Sequence, residues 1–592
     1  MLVKSVLRRC VTILVCTGTA IGAPQKPSAP STPQEARRTT TQGVEGTWVG
    51  TLQAGDAALH LVLHISRESG GSLKGALDSL DQGVYGIEAS SVKQSPNAVS
   101  FEVASVNASY EGKVSMDHRT IEGTWSQGGA SLPLIFRRQA LTAGAKPSGA
   151  VASSEGTWQG ALETNGMRFR LQLHVSHDTQ GNLVAALDSI DQGINGFPAT
   201  HVSQKDSAVH FDLPAVGGSY EGTLNAAKNA ISGTWTQGDN TAALTFQRSD
   251  QILQLRRPQT PAKPYPYREV ELSFPNSKAG VSLAGTLTVP RGQAPFPAAI
   301  LLAGSGPLDR DEADDGHRPF LVLADYLTRN SIAVLRYDKR GVGKSTGNYD
   351  EATTADFASD AEAALSFLKT RKEIATGKIG LVGHSEGGVI APMIASHSSD
   401  VAWIVMLAGS ATKGEETLLL QSDLITRAAG MSDEQIAKSL EFDKQSYLLV
   451  RQENDRAMRE SKLGELIKVS GLGPAMPPAF LQRQIHWISS PWFRYFLDYD
   501  PVPALEKTKC PVLALSGEKD LRVPPKENLP LIKKALEEGG NKDVQVTELP
   551  GLNHLFQHCV TGLPTESRAI EETFAPEALQ AISEWIAKHT GA

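Results

Sequence analysis

Two periodicities divide the chain. Up to about residue 250, short runs alternate large apolar residues with others: LHLVLHI from Leu59, VSFEV from Val99, FRLQLHV from Phe169 and VHFDL from Val209. Gly, Asn or Asp clusters separate these runs. Period-two alternation between turn residues predicts strands with one buried face. Beyond about residue 267 the texture changes. Apolar runs such as AAILLAG, IGLV and PVLALSG alternate with longer helical stretches, an order that predicts a parallel sheet covered by helices.

The first texture occurs twice. EGTWVGTL at Glu45 returns as EGTWQGAL at Glu155, and ALDSLDQGVYG, containing Asp78, returns as ALDSIDQGING, containing Asp188. SYEGKV at Ser109 and IEGTWSQG at Ile121 return as SYEGTL at Ser219 and ISGTWTQG at Ile231. Every pair is offset by 110 positions, so the copies align without a gap. A unit repeated at fixed spacing predicts a duplicated domain. About eight short strands per copy would form a small antiparallel barrel or sandwich. The GTW and SYEG segments are expected to supply core aromatics and tight turns; on that short pattern they resemble lipocalin-like barrels.

Segments without periodicity, rich in Pro, Ala, Thr, Ser or Lys, set the boundaries. The expected order is a signal peptide over 1–23, a disordered linker over 24–43 and a first β-domain over 44–138. A linker over 139–153, a second β-domain over 154–249 and a linker over 250–266 follow. An α/β domain fills 267–592, with an insertion over 410–509. The signal peptide rests on Lys4, Arg8 and Arg9, a short apolar run after them, and Ala20, Gly22 and Ala23 at its exit. The run is too short to span a bilayer comfortably, so export to the periplasm or beyond is expected, without stable membrane insertion after cleavage.

Composition narrows little. With 592 residues, 40% hydrophobic and 20% charged, the chain is a globular protein of several domains. A net charge of −7 gives no reason to expect nucleic acid as a partner. Cys10 and Cys16 fall in the signal, leaving Cys510 and Cys559 either as a disulfide or, preferably, as two separate buried thiols. Asp78 with Asp81 and Asp188 with Asp191 offer too few ligands for calcium. His60, His64, His174 and His177 sit at strand spacing with no Cys nearby. Neither metal nor organic cofactor is expected.

The chemistry lies in KIGLVGHSEGGVIAPMIA, residues 378–395. A β-rich run, G-H-S-E-G and a helical run make the strand–turn–helix setting of a nucleophile elbow. Ser385 is the candidate nucleophile, and Gly383 and Gly387 clear space for a tight turn. The acid and histidine should follow in that order. Asp520 sits in the loop after PVLALSG, and His554 in the loop after VQVTELP. Both are expected where the strands end, the ligand-binding edge of an open sheet. Glu518 and His558 are their nearest rivals. The backbone N–H groups of Glu386 and of Ser305, in AGSGP, are the candidate oxyanion donors.

These segments, with RYDKRGVGKS and GLNHLF, resemble bacterial α/β-hydrolases of the esterase and dienelactone-hydrolase-like group over residues 267–592. In RYDKRGVGKS, Asp338 and Arg340 are read as structural, and the spacing does not fit a phosphate loop. The resemblance implies that the insertion at 410–509 is a cap over the active site. Its aromatics Trp487, Trp492, Phe493 and Tyr495 are then candidates for an acyl pocket, or for the cap's own core.

Three functions remain open at this stage. An esterase acting on a small ester through an acyl-serine is preferred. A serine peptidase of the same fold is the second; an exopeptidase would need a carboxylate for the substrate amine, and Glu386 and Asp311 are available. The third is surface binding, with the duplicated β-domains holding a glycan or another cell-surface ligand.

Overall fold

The computed structural model describes residues 44–591 except 55–56, 68–72, 80–83, 96, 104–107, 128–129, 139–152, 165–166, 179–180, 193, 239, 252, 254 and 471–477. The signal peptide, the first linker, Cys10, Cys16, nearly all of the second linker and the side chains of His60, Asp78 and Asp81 lie outside the described residues. The rest forms two compact units.

The first unit holds two closed barrels of eight strands, each running from neighbour to neighbour in chain order. Equivalent residues pair alike: Trp48 lies opposite Leu63 and Trp158 opposite Leu173, while Tyr110 faces Trp125 and Tyr220 faces Trp235. Alternation explains the cores. In the strand Ala108–Val114, Ala108, Tyr110 and Gly112 are buried, and Ser109 and Glu111 are exposed. The SYEG segments therefore lie within strands rather than at turns. Their glycines make room for the tyrosine, since a Cβ at Gly112 would lie 2.6 Å from the Tyr110 hydroxyl. Trp48 and Trp158 are fully buried. Their indole N–H groups donate to Val44 O at 2.9 Å and Ser154 O at 2.7 Å. The guanidinium of Arg138 caps the first indole at 4.5 Å and that of Arg248 the second at 4.2 Å, so each end is closed by a cation–π contact.

In the second barrel the acids of LDSIDQG are engaged. Asp191 is buried and accepts from the backbone and guanidinium of Arg170. Asp188 accepts the Gly196 N–H and faces His174 Nε2 at 2.8 Å, a cross-strand partner not visible from the spacing of the histidines.

The second unit is an eight-stranded sheet with helices on both faces. Its strands are β1 (Arg268–Asn276), β2 (Val281–Val289), β3 (Phe296–Leu302), β4 (Ala333–Tyr337), β5 (Ile374–His384), β6 (Trp403–Leu407), β7 (Val512–Gly517) and β8 (Val544–Leu549). Their order is β1-β2-β4-β3-β5-β6-β7-β8. Only β2 runs antiparallel to its neighbours β1 and β4. Every side chain of β3, β6 and β7 is buried, as continuous apolar runs require when helices cover both faces.

Five helices flank the sheet: α1 (Pro319–Arg329), α2 (Thr354–Lys369), α3 (Glu386–Ala395), α10 (Pro525–Glu538) and α11 (Pro576–Thr590). Phe320 and Leu323 of α1 and Ile582 and Trp585 of α11 pack on Leu301, Val405 and Leu513 of the sheet. Truncating any of these to Ala costs about 2–5 kcal/mol. Thr353 and Asp356 form a capping box that starts α2. Between β6 and β7 lie the cap helices α4 (Gly414–Ala428), α5 (Asp433–Gln452), α6 (Arg456–Ser470), α7 (Pro478–Ile488), α8 (Pro491–Asp498) and α9 (Val502–Lys507). Part of the stretch read as a third linker is pinned to this unit. Arg257 donates to the carbonyls of Asp315 and Arg568, and Gln259 to that of Phe574.

Candidate active site

Ser385 occupies the turn between β5 and α3 at φ 53° and ψ −114°, a backbone region that side-chain-bearing residues avoid. Its N–H donates to Leu407 O at 2.8 Å and its carbonyl accepts from the Gly388 N–H at 2.9 Å, which hold the strained turn. The flanking glycines are sterically required. A Cβ at Gly383 would lie 1.9 Å from the Gly387 carbonyl oxygen, and one at Gly387 would lie 1.9 Å from that of Leu302.

The loops after β7 and β8 bring Asp520 and His554 together. Asp520 Oδ2 accepts from His554 Nδ1 at 2.8 Å, and both residues are buried, at 1% and 6% exposure. The other oxygen of Asp520 accepts the N–H groups of Arg522 and Val523, each at 2.8 Å, which fixes the carboxylate. Burial, the largest effect, holds the His554 pKa below the ordinary histidine range. The charge of His384 acts the same way and that of Asp520 opposes it. His554 and Ser385 line one cavity. The rivals point elsewhere: Glu518 accepts the Gly551 N–H, and the exposed His558 pairs with Glu572 and Glu577.

The loop after β3 runs beside the turn, for a Cβ at Gly304 would lie 3.2 Å from that of Ser385. Among the described residues no acceptor takes the N–H of Ser305 or of Glu386, the first residue of α3. Unsatisfied N–H groups at a helix start favour negative charge nearby.

Two buried neighbours brace this turn. His384 Nδ1 lies 2.9 Å from Glu312 Oε1, and its Nε2 lies 3.0 Å from the His554 carbonyl oxygen. Both partners offer acceptor oxygens, an arrangement that a doubly protonated ring satisfies at both nitrogens. Burial opposes that charge, but Glu312 and the two hydrogen bonds outweigh it and raise the pKa. The second neighbour is the Glu386 side chain, buried at 3% exposure. It accepts from Lys339 Nζ at 3.0 Å, Thr354 Oγ1 at 2.7 Å and the cap's Trp492 Nε1 at 2.5 Å.

Two cavities of about 50 Å³ each share Ser305, Ser385 and Arg522. One is roofed by Leu418, Trp487, Trp492 and Phe496 of the cap; the other reaches His554, His384 and His317. Of the four expected pocket aromatics, Trp487 and Trp492 line the space. Phe493 does not: it packs against Tyr447 and Trp487 inside the cap. Tyr495 stacks on Tyr499 instead. Helical phase explains this, because Trp492 and Phe496, four apart on α8, share a face that Phe493 and Tyr495 do not.

Asp338 takes a two-pronged ion pair from Arg310, and Arg340 pairs with Asp356 and Asp360. Asp311 is buried between Arg336 and Arg318. Cys510 and Cys559 are unpaired thiols.

Residues 318–465 match the family model described as serine aminopeptidase, S33, a family of hydrolases. Esterase EstD of Thermotoga maritima is 26% identical over 397 residues, 65% of this chain and 86% of that protein. Esterase FrsA of Yersinia pestis is 39% identical over 97 residues, which span 16% of this chain and 21% of FrsA. Among solved structures, the Pyrococcus furiosus esterase Pf2001 aligns with TM-score 0.34 and 16% identity, covering 55% of this chain and 92% of that one. The α/β-hydrolase GrgF of Penicillium aligns with TM-score 0.35 and 17% identity, covering 55% and 100%. With a single antiparallel strand in its sheet, a strained serine between β5 and α3, and this match to a hydrolase family model, the C-terminal part of the chain has the α/β-hydrolase fold.

Proposed function

We propose that residues 267–592 hydrolyse small carboxylic esters through an acyl-Ser385 intermediate. Ser385 Oγ attacks the ester carbonyl while His554 Nε2 takes its proton, and Asp520 holds the imidazole tautomer and stabilises the cation that forms. The N–H groups of Glu386 and Ser305 receive the oxyanion; such a donor is typically worth about 3–4 kcal/mol. Collapse expels the alcohol, protonated by His554, and water then attacks the acyl-serine by the same route. The observation that carries this reading is the buried Asp520–His554 pair on the cavity that Ser385 lines.

Ester rather than peptide specificity is favoured by the acids around the site. An aminopeptidase needs a carboxylate free for the substrate ammonium. Glu386 is taken by Lys339, Thr354 and Trp492, and Asp311 by two arginines. The esterase names of the relatives point the same way. The test is hydrolysis of p-nitrophenyl acetate, butyrate and octanoate beside aminoacyl p-nitroanilides. Esters should turn over, and Ser385→Ala should lower kcat by at least about a thousandfold. Turnover of the anilides alone would reverse the assignment.

We further propose that residues 1–23 direct export and that the barrels tether the enzyme to surface material. Retention of the full chain, but not of residues 267–592, on cell-wall preparations is the expected result; equal retention would refute the tether.

A further inference from the structure

Arg522 is set apart from the other arginines around the sheet. Arg310, Arg318, Arg336 and Arg340 each pair with a carboxylate: Asp338, Asp311 twice, and Asp360. Arg522 lines both cavities that meet at Ser385, yet among the described residues its guanidinium has no ion-pair or hydrogen-bond partner. The acids near it are occupied elsewhere. Glu312 is bonded to His384 and the Gly304 N–H, Glu386 to Lys339, Thr354 and Trp492, and Asp520 to His554.

A guanidinium keeps its charge at any ordinary pH, so withdrawing it partly from water without a counter-charge is unfavourable. The backbone of Arg522 is held, since its N–H donates to Asp520 Oδ1 at 2.8 Å. The fold thus anchors the backbone of a cation whose planar fork is free beside Ser385. A carboxylate matches that fork with two parallel hydrogen bonds.

We propose that Arg522 binds a carboxylate of the substrate, so that the preferred substrates are small esters carrying a carboxylate a few bonds from the scissile carbonyl. This rests on the esterase reading above. A substrate ammonium, by contrast, would meet the repulsion of Arg522. The carboxylate belongs either to the acyl part, as in a half-ester of a dicarboxylic acid, or to the alcohol part, as in an acylated hydroxy acid.

Two matched pairs separate these sources: monoethyl against diethyl succinate, and 4-acetoxybenzoate against its methyl ester. In at least one pair the anionic ester should lead in kcat/KM by tenfold or more. Arg522→Gln should lower that anionic-to-neutral ratio by roughly tenfold to a hundredfold, mainly through KM, and Arg522→Lys should restore part of it. A ratio near one in both pairs, or one that Arg522→Gln leaves unchanged, would overturn the proposal. If the wild type hydrolyses neither p-nitrophenyl acetate nor any of the four esters, the esterase reading fails instead, and binding decides this one. Succinate binding to Ser385→Ala, measured by calorimetry, should weaken at least tenfold when Arg522→Gln is added. No binding, or binding unaffected by the second substitution, would count against it.

Discussion

The ring of His384 donates from Nε2 to the backbone carbonyl of His554 at 3.0 Å, with the two ring centroids 4.9 Å apart. A histidine next to Ser385 thus positions the loop of the proposed base, and a proton on it sets a positive charge beside that base. Glu312 holds that charge in place.

Activity should therefore fail on the acid side at a pH below the ordinary histidine value. The proposed base must be neutral to accept the Ser385 proton, and its pKa is depressed by burial and by His384, against Asp520. The charged and titratable groups facing it are Asp520, His384 and Arg522. Glu312→Gln removes the counter-charge, lets His384 become neutral and relieves the repulsion. The acid limb of kcat/KM should then move to higher pH, by on the order of half a unit to one unit. A pH–rate profile checks it, and a limb that stays in place would detach His384 from the mechanism.

The three-way grip on Glu386 predicts a stability effect. Glu386→Ala leaves Lys339 buried without its counter-charge, a loss of about 3–5 kcal/mol in chemical denaturation. Lys339→Met added to Glu386→Leu should recover part of it, because a well-packed apolar pair avoids the desolvation of both ions.

Much of this site was legible in the sequence. G-H-S-E-G fixes a turn because both glycines face backbone oxygens at 1.9 Å once a Cβ is added, and the acid and histidine follow on the next strand ends. The duplicated barrels were equally open to reading, through a period-two pattern copied without gaps. Long-range partners were not. Glu312 and His384 are 72 positions apart, and Glu386 and Trp492 are 106 apart; nothing local in the chain marks such pairs. The cap aromatics failed for a different reason. Aromatic density names a segment, but helical phase selects Trp492 and Phe496 over Phe493 and Tyr495. The SYEG turns failed because glycine was read as a breaker where it makes room for a tyrosine within a strand.

Acid should destabilise the hydrolase domain through His317. It is buried, with Nδ1 2.9 Å from Thr573 Oγ1, and burial, aided by the charge of Arg257, lowers its pKa to about 4. Because the unfolded chain protonates this group first, the stability it confers is whole above pH ~6.5 and is lost as pH falls to about 4. The loss amounts to roughly 3 kcal/mol. Denaturation midpoints between those pH values should fall in the wild type and flatten in His317→Gln.

Chain length should be limited by the cap. Trp487, Trp492 and Phe496 of the cap line one of the two cavities at Ser385, so a long acyl chain would run against them. Acetate and propionate esters should outpace octanoate, and Trp487→Ala should move the optimum to longer chains. A wild type that prefers octanoate would mean that the cap opens during turnover.

The central claim is that Ser385 is the nucleophile. Intact-mass spectrometry after treatment with diisopropyl fluorophosphate tests it directly. One phosphoryl adduct per chain is expected, mapping to the peptide that holds Ser385 and absent from Ser385→Ala. An adduct on another serine, or labelling of Ser385→Ala equal to that of the wild type, would contradict it.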